Sequence, residues 1–360
     1  MTDASPAGPI AVGILGTGAM AGVMARAIAL APDMTVRAVA SGAPGRAEAF
    51  AAAHGIPAAH AGRAALLADP GVDLVYIANA TERHAEDAIA ALGAGKSVLV
   101  EKPIAIDPAD AVRVAAAAAA AGRFCMEAMW TAFLPTWARL EDIARGGELG
   151  APRHLSFSFG YPADPTSLPR LFDAGAGGGV LLDRGVYGVA LALRLLGPAT
   201  AVQASVTRSA AGADIAAALQ IAHEGGAQSQ IAVSAEALMG NGAILSCARG
   251  TAELEPPVLG GETLALRRAS DPAPARDPAA GGGGLKDRLK RSPLLRRINA
   301  ARSGPERLRL GWGADQHLPM LAHVAACIRA RQGESATVPL SASVAALDVL
   351  TQARAAGAGA

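Results

Sequence analysis

Aromatic side chains are scarce in this chain: phenylalanine, tryptophan and tyrosine together make up 3% of its 360 residues. Alanine, valine and leucine must therefore fill the core, and each aromatic that does occur is a candidate for a specific task. Cysteine is as sparse. Cys125, Cys247 and Cys327 are odd in number, widely spaced and without a C-x-x-C pair. That argues against a disulfide framework or a structural zinc site and suits a reducing compartment. A surplus of charge is missing too. With a formal net charge of +1, no overall pull toward nucleic acid or an acidic membrane is expected. The most apolar run, Ala111 to Gly122, is broken by Arg113 and too short to cross a bilayer. The N-terminus carries Asp3 and Pro6 in place of a signal peptide's charged start and apolar stretch, so a cytoplasmic location is expected. Histidine–acid clusters with metal-ligand spacing and a G-x-S-x-G elbow are also lacking, and no metal is expected.

What is present is globular: 51% apolar and 18% charged residues, at a length that usually divides into two domains. Ile10 to Leu15 reads as a strand ending at glycines, and Ala19 to Leu30 follows with helical spacing. Thr35 to Ala40, Val72 to Ala78 and Ser97 to Val100 read as further strands, with helices at Gly45 to His54 and Ala85 to Gly93. This alternation predicts βαβ units and a parallel, doubly wound sheet over residues 8–125. From residue 126 the pattern changes to an α+β domain reaching residue 360. A helix spans Leu134 to Arg145. Extended segments then follow at His154–Gly160, Val202–Arg208, Ile215–His223, Gln228–Glu236, Ala243–Ala248 and Thr251–Glu255, which predicts a mostly antiparallel sheet. A long helix from Val180 to Leu196 interrupts them, and helices at Asp315–Arg331 and Ser341–Ala355 close the chain. Residues 269–309 stand apart as an atypical insertion, with nine basic residues and two acids between Lys286 and Arg309. Leu285, Leu289, Leu294, Leu295 and Ile298 fit one stripe of a basic amphipathic helix, or the segment is a solvated surface insertion.

The turn Gly16-Thr17-Gly18-Ala19-Met20-Ala21 lies between the first strand and the first helix. Gly16 permits a tight turn, Gly18 lets the backbone approach a pyrophosphate, and small Ala21 lets the helix pack on the sheet. No acid follows the second strand until Glu48, whereas Ser41 and Arg46 are placed to hold a 2′-phosphate. NADP is therefore the expected cofactor with NAD possible, although Arg46 also fits a solvated first-turn residue. Glu101-Lys102-Pro103 sits at the end of a buried strand, where a lysine reaches both a nucleotide on the glycines and a substrate against it. Asp183 and Tyr187 share a helix face four residues apart, Gly185 lies between them, and Gly177-Gly178-Gly179 precedes them. Taken singly, Asp183 fits a first-turn acid and Tyr187 a core aromatic. Beside Lys102 they form a candidate catalytic group, in which the ammonium favours the ionised form of the tyrosine. His84 is placed to shape the nicotinamide pocket or to make helix-start backbone contacts. Trp130 and Phe133 wall the substrate pocket or pack a domain interface.

These segments resemble the Gfo/Idh/MocA family of NAD(P)-dependent oxidoreductases over nearly the whole length. The likeness rests on the glycine turn, Ala38-Val39-Ala40-Ser41, Tyr76-Ile77-Ala78-Asn79, Ala94-Gly95-Lys96 and Glu101-Lys102-Pro103. Met126-Glu127-Ala128-Met129-Trp130-Thr131 and the run from Gly177 to Tyr187 are similar to its dihydrodiol dehydrogenase and NADP-dependent xylose dehydrogenase branch. The resemblance implies a Rossmann-type first domain and Lys102 with Tyr187 as the catalytic pair. It adds Asn79, His84 and Glu101 to the cofactor site, and an open sheet face that makes a homodimer or homotetramer. Relatives often carry arginine where this chain has Ala132 and Gly42. The expected activity is hydride transfer with a small-molecule sugar, polyol or cyclic diol. Redox-assisted glycoside cleavage and a non-enzymatic nucleotide-sensing role are the alternatives.

Overall fold

The centre of the first sheet is built from strands that have no polar face. In the computed structural model, which describes residues 8–269 and 304–356, β1 (Ile10–Leu15), β4 (Leu74–Ile77) and β5 (Ser97–Val100) are buried along nearly their whole length. Helices cover both sides of such strands. With β2 (Met34–Ser41), β3 (Ala58–Ala61) and β6 (Cys125–Glu127) they form a parallel sheet in the order β3-β2-β1-β4-β5-β6. The direction of winding reverses between β1 and β4, and the crevice beyond their C-terminal ends is where such sheets bind ligands.

Helices α1 (Ala19–Leu30), α2 (Arg46–His54), α3 (Arg63–Ala68), α4 (His84–Gly93) and α5 (Pro108–Ala121) flank this sheet. The alanine-rich α5 shows how little side chain is needed. Asp107 caps it by accepting the Ala109 N–H, Pro108 opens it, and left-handed Gly122 ends it.

The second sheet has eight strands: β7 (Pro152–Gly160), β8 (Ala199–Arg208), β9 (Asp214–His223), β10 (Gln228–Ser234), β11 (Ala243–Cys247), β12 (Gly250–Leu254), β13 (Thr263–Arg268) and β14 (Glu306–Arg309). Their order is β14-β13-β12-β11-β7-β10-β9-β8, antiparallel except where β10 runs parallel to β7. Helix α6 (Pro135–Gly146) packs on β12 and β13, while α7 (Val186–Leu196) lies on β7 and β10. Of the closing helices, α8 (Leu318–Arg329) contacts α1, and α9 (Leu340–Ala356) packs on α5, α7 and β8. α9 thus ties the two sheets together. Among the described residues, no helix is long and apolar enough to cross a membrane.

The two-sheet architecture matches the sequence reading, and several details differ. The first sheet runs to Glu127, two residues past the expected boundary, because β6 adds to its edge. Strands β3, β6, β13 and β14 and helices α3 and α5 have no counterpart in the sequence reading. The helix expected from Val180 begins instead with a π-helical turn over Leu181–Gly185. Most of the basic segment 286–309 lies outside the described residues. Its last part, Glu306–Arg309, is an edge strand pairing with β13 and not a helix.

Gly188 lets α7 approach the sheet closely: a Cβ there would lie 2.6 Å from the Phe157 ring and 2.9 Å from Ile231. Gly188→Ala is expected to destabilise the fold by about 1–3 kcal/mol through overpacking. Urea unfolding measures this, and an unchanged midpoint would show that helix and sheet are free to part.

Candidate active site

The glycine turn between β1 and α1 uses its two glycines differently. Gly16 has φ +123°, and a Cβ there would lie 2.5 Å from the Ala78 carbonyl oxygen and 2.9 Å from the Asn79 nitrogen. Only glycine allows the ends of β1 and β4 to meet so closely. At Gly18 a Cβ would meet nothing nearer than 4.0 Å, so the space before it is open. Gly18 caps α1 without a side-chain hydrogen bond, no acid occupies the first turn, and Ala19 and Met20 are exposed. Free N–H groups and the positive end of the helix dipole therefore face that space, as an anionic diphosphate requires.

Two buried polar atoms nearby have no partner. Asn79 donates through Nδ2 to Asp87 at 2.5 Å, leaving Oδ1 unpaired. His84 donates through Nδ1 to the Pro103 carbonyl at 2.8 Å, leaving Nε2 unpaired. Burial lowers the pKa of His84 against the opposing pull of that carbonyl, so its ring is neutral and Nε2 is an acceptor. Two orphaned acceptors beside an uncapped helix fit the hydroxyl and amide donors of a nicotinamide riboside. At the end of β2, Ser41 accepts the Ala43 N–H at 3.2 Å, and Arg46 is exposed at the start of α2. Glu101 is placed otherwise than expected. Its buried carboxylate accepts the Tyr76 hydroxyl and the Lys102 N–H, so it fastens β5 to β4 within the protein.

Lys102 leaves the end of β5 through a cis bond to Pro103 and points across the cleft. Its Nζ donates to Asp183 Oδ1 at 2.8 Å and to the Asp183 carbonyl at 2.6 Å, and lies 4.9 Å from the centre of the Tyr187 ring. Asp183 sits in the π turn, where the Val186 N–H bonds back to the Leu181 carbonyl; such turns recur at functional sites. Asp214 pins the start of this turn by accepting the Leu181 N–H at 2.6 Å and Arg354 Nε at 3.0 Å. The other Asp183 oxygen lies 3.7 Å from Arg184 Nε, so one carboxylate stands between two cations. Its side chain is 45% exposed, reachable by solvent at the bottom of the cleft yet ringed by protein.

The charges follow from this packing. Burial alone would lower the pKa of Lys102, and the Asp183 carboxylate outweighs it, so the ammonium is held above the ordinary lysine value. Burial likewise raises Asp183, and Lys102 with Arg184 brings it below the usual carboxylate range. Tyr187 departs from expectation. Burial raises its pKa, Lys102 opposes this, and Glu101 and Asp183 add to the rise, leaving it above 10.0. The ammonium does not by itself produce a tyrosinate.

The aromatic residues gather here. Tyr187 is edge-on to Trp130 at 6.5 Å and to Phe159 at 6.4 Å, and Phe159 lies 5.8 Å from Tyr161. The Arg184 guanidinium stacks on Tyr161 at 3.9 Å and donates to the Tyr161 and Ser234 carbonyls. Phe133 has a different neighbour, His323 of α8 at 4.8 Å. Sequence reasoning missed Arg184, Phe159 and Tyr161. The available signals were a cation early in the apolar run from Val180 and two aromatics at a strand end in a chain with few. No group of three or more His, Cys, Asp or Glu could hold a metal ion among the described residues.

Comparison with known proteins bears on the fold and the family. Residues 10–129 match the oxidoreductase family with an NAD-binding Rossmann fold, and residues 137–253 match the GFO/IDH/MocA C-terminal domain. A trans-1,2-dihydrobenzene-1,2-diol dehydrogenase of Mus musculus is 30% identical over 247 residues, which is 68% of this chain and 74% of that protein. An aldose-aldose oxidoreductase from Caulobacter crescentus, solved with glycerol, superposes with TM-score 0.78 at 24% identity, over 97% of this chain and 98% of the other. A levoglucosan dehydrogenase, in complex with NADH and levoglucosan, gives TM-score 0.81 at 20% identity over 97% of both chains. These two structures speak to the fold. With both domains matched in order and Lys102, Asp183 and Tyr187 meeting between them, the chain belongs to the Gfo/Idh/MocA family of NAD(P)-binding oxidoreductases.

Proposed function

We propose that the protein is an NADP-preferring dehydrogenase acting on a secondary alcohol, or the matching carbonyl, of a sugar, polyol or cyclic diol. The observation that carries this reading is Lys102, held by Asp183 and 4.9 Å from the Tyr187 ring beside an open dinucleotide crevice. A bound nicotinamide supplies the hydride donor or acceptor. In carbonyl reduction, protonated Tyr187 gives its proton to the substrate oxygen as negative charge develops there, and the Lys102 ammonium stabilises that charge. In alcohol oxidation, Tyr187 must first ionise to accept the hydroxyl proton. Asp183 keeps the ammonium charged and aimed until a substrate oxygen replaces one of its contacts. Trp130 and Phe159 offer apolar faces to a ring.

The lack of an acid after β2, with Ser41 and Arg46 in its place, supports NADP over NAD. The name of the mouse relative supports a cyclic diol within the substrate class. Three free thiols suit a reducing cytoplasm. A second copy of the chain is the partner that suits the uncovered face of the second sheet. Gln203, Gln220, Gln230, Ser156 and Ile244 line up there across five strands without a charge.

Lys102→Met is expected to lower turnover about a thousandfold while dinucleotide binding persists, read from nicotinamide absorbance and fluorescence. Full turnover by that variant would remove the lysine from the mechanism. In the oxidation direction kcat/KM should climb about tenfold per pH unit on the alkaline side, because the Tyr187 hydroxyl is held above its ordinary value and tyrosinate forms only as pH rises. Tyr187→Phe should abolish that limb, and an identical profile in the variant would assign the proton elsewhere. Gln220→Arg is expected to lower the mass in solution by light scattering, whereas an unchanged oligomer would place the interface on another face.

A further inference from the structure

A second histidine borders the site on the far side of Trp130, and none of the roles described above uses it. His317 immediately precedes α8 and is only 2% exposed. Asp315 Oδ1 accepts both its backbone N–H and its ring Nδ1–H, each at 2.8 Å. A carboxylate on Nδ1 fixes the tautomer and the ring plane, leaving Nε2 as the outward functional atom. The ring packs on the Trp130 indole at 5.1 Å, and that indole is itself edge-on to Tyr187. Trp130 is thus a wall shared by the proton-transfer tyrosine and an oriented imidazole. Nε2 has no hydrogen-bond partner among the described residues, yet it is not among the polar atoms sealed away from solvent. An oriented imidazole nitrogen in a ring otherwise packed by protein lacks one partner.

The neighbouring contacts place this nitrogen on a rigid support. Trp312 donates through Nε1 to the Gly260 carbonyl at 2.9 Å, and a Cβ on Gly260 would lie 3.9 Å from the Trp130 ring. The segment that carries Asp315 and His317 is therefore held against the same loop that backs Trp130. A helix cap alone would explain Asp315 accepting the backbone N–H. It does not explain an aspartate that also fixes the imidazole, nor a free Nε2 beside an indole that lines the cleft.

We propose that His317 is a substrate-contacting specificity residue, whose Nε2 hydrogen-bonds a second hydroxyl of the substrate, on the side of the ring away from the carbon at Tyr187. The inference rests on the dehydrogenase reading above and, within its substrate class, favours polyhydroxylated rings over the simple cyclic diol that the mouse relative's name suggests. A site built to hydrogen-bond a hydroxyl discriminates strongly against an analogue that lacks it.

The test compares D-xylose in its ring form with trans-cyclohexane-1,2-diol, a ring of the same size carrying two hydroxyls. Both are assayed with wild type, His317→Leu and His317→Gln, and dinucleotide fluorescence quenching confirms that each variant is folded. His317→Leu should lower kcat/KM for xylose at least tenfold more than for the diol, mainly through KM. His317→Gln, whose amide reaches the position of Nε2, should recover most of that difference. Equal losses on both substrates, or a glutamine variant as poor as leucine, would reduce His317 to packing on Trp130 and overturn the inference alone. Wild type that oxidises neither substrate would overturn the dehydrogenase reading and this inference together.

Discussion

The ion pair between Lys102 and Asp183 sets where every other catalytic group stands. An ammonium taken from water into a cleft tends to lose its proton, and an isolated carboxylate tends to gain one. Each partner holds the other in its charged form, and Arg184 supports the carboxylate from the side away from the lysine. Pairs of this kind contribute little net stability, because desolvation offsets most of the attraction. Their value here is positional: the end of β5 and the start of α7 belong to different domains, and the pair fixes one against the other. Both ends are braced. Glu127 accepts the Ile104 N–H and the Ser343 hydroxyl behind the lysine, while Asp214 and Arg354 hold the π turn behind the aspartate.

Small side chains make this arrangement possible. Alanine-rich α1 lies against the first sheet, alanine-rich α5 packs between α4 and α9, and Gly188 brings α7 onto the second sheet without an intervening side chain. The core therefore needs few aromatics. Four of the chain's twelve aromatics, Trp130, Phe159, Tyr161 and Tyr187, meet at the cleft, where their faces are free to meet a ring. An apolar wall around charged groups also strengthens their interactions, since less water is present to screen them.

Much of this was legible in the residues. Apolar runs punctuated by glycine revealed the parallel sheet, and the spacing of Asp183 and Tyr187 placed both on one helix face. The short strands were not legible, because β3 is Ala58-Ala59-His60-Ala61 and β14 is Glu306-Arg307-Leu308-Arg309. Neither has an alternating pattern or a β-branched residue; pairing with a neighbour makes them strands. The ionisation of Tyr187 was read from one cation, whereas burial and two carboxylates decide it. His317 lies 187 positions from Trp130, and Arg184 lies 50 from Ser234, so only the folded chain brings such residues together.

The three tryptophans of this chain all converge on one loop. Trp137 donates its indole N–H to the Val258 carbonyl, Trp312 donates to the Gly260 carbonyl, and Trp130 approaches Gly260 from the cleft. The protein's entire indole emission therefore originates around Val258 to Gly261, at the wall of the catalytic crevice. Intrinsic fluorescence becomes a local optical probe of that wall, with no tryptophan elsewhere to dilute its signal.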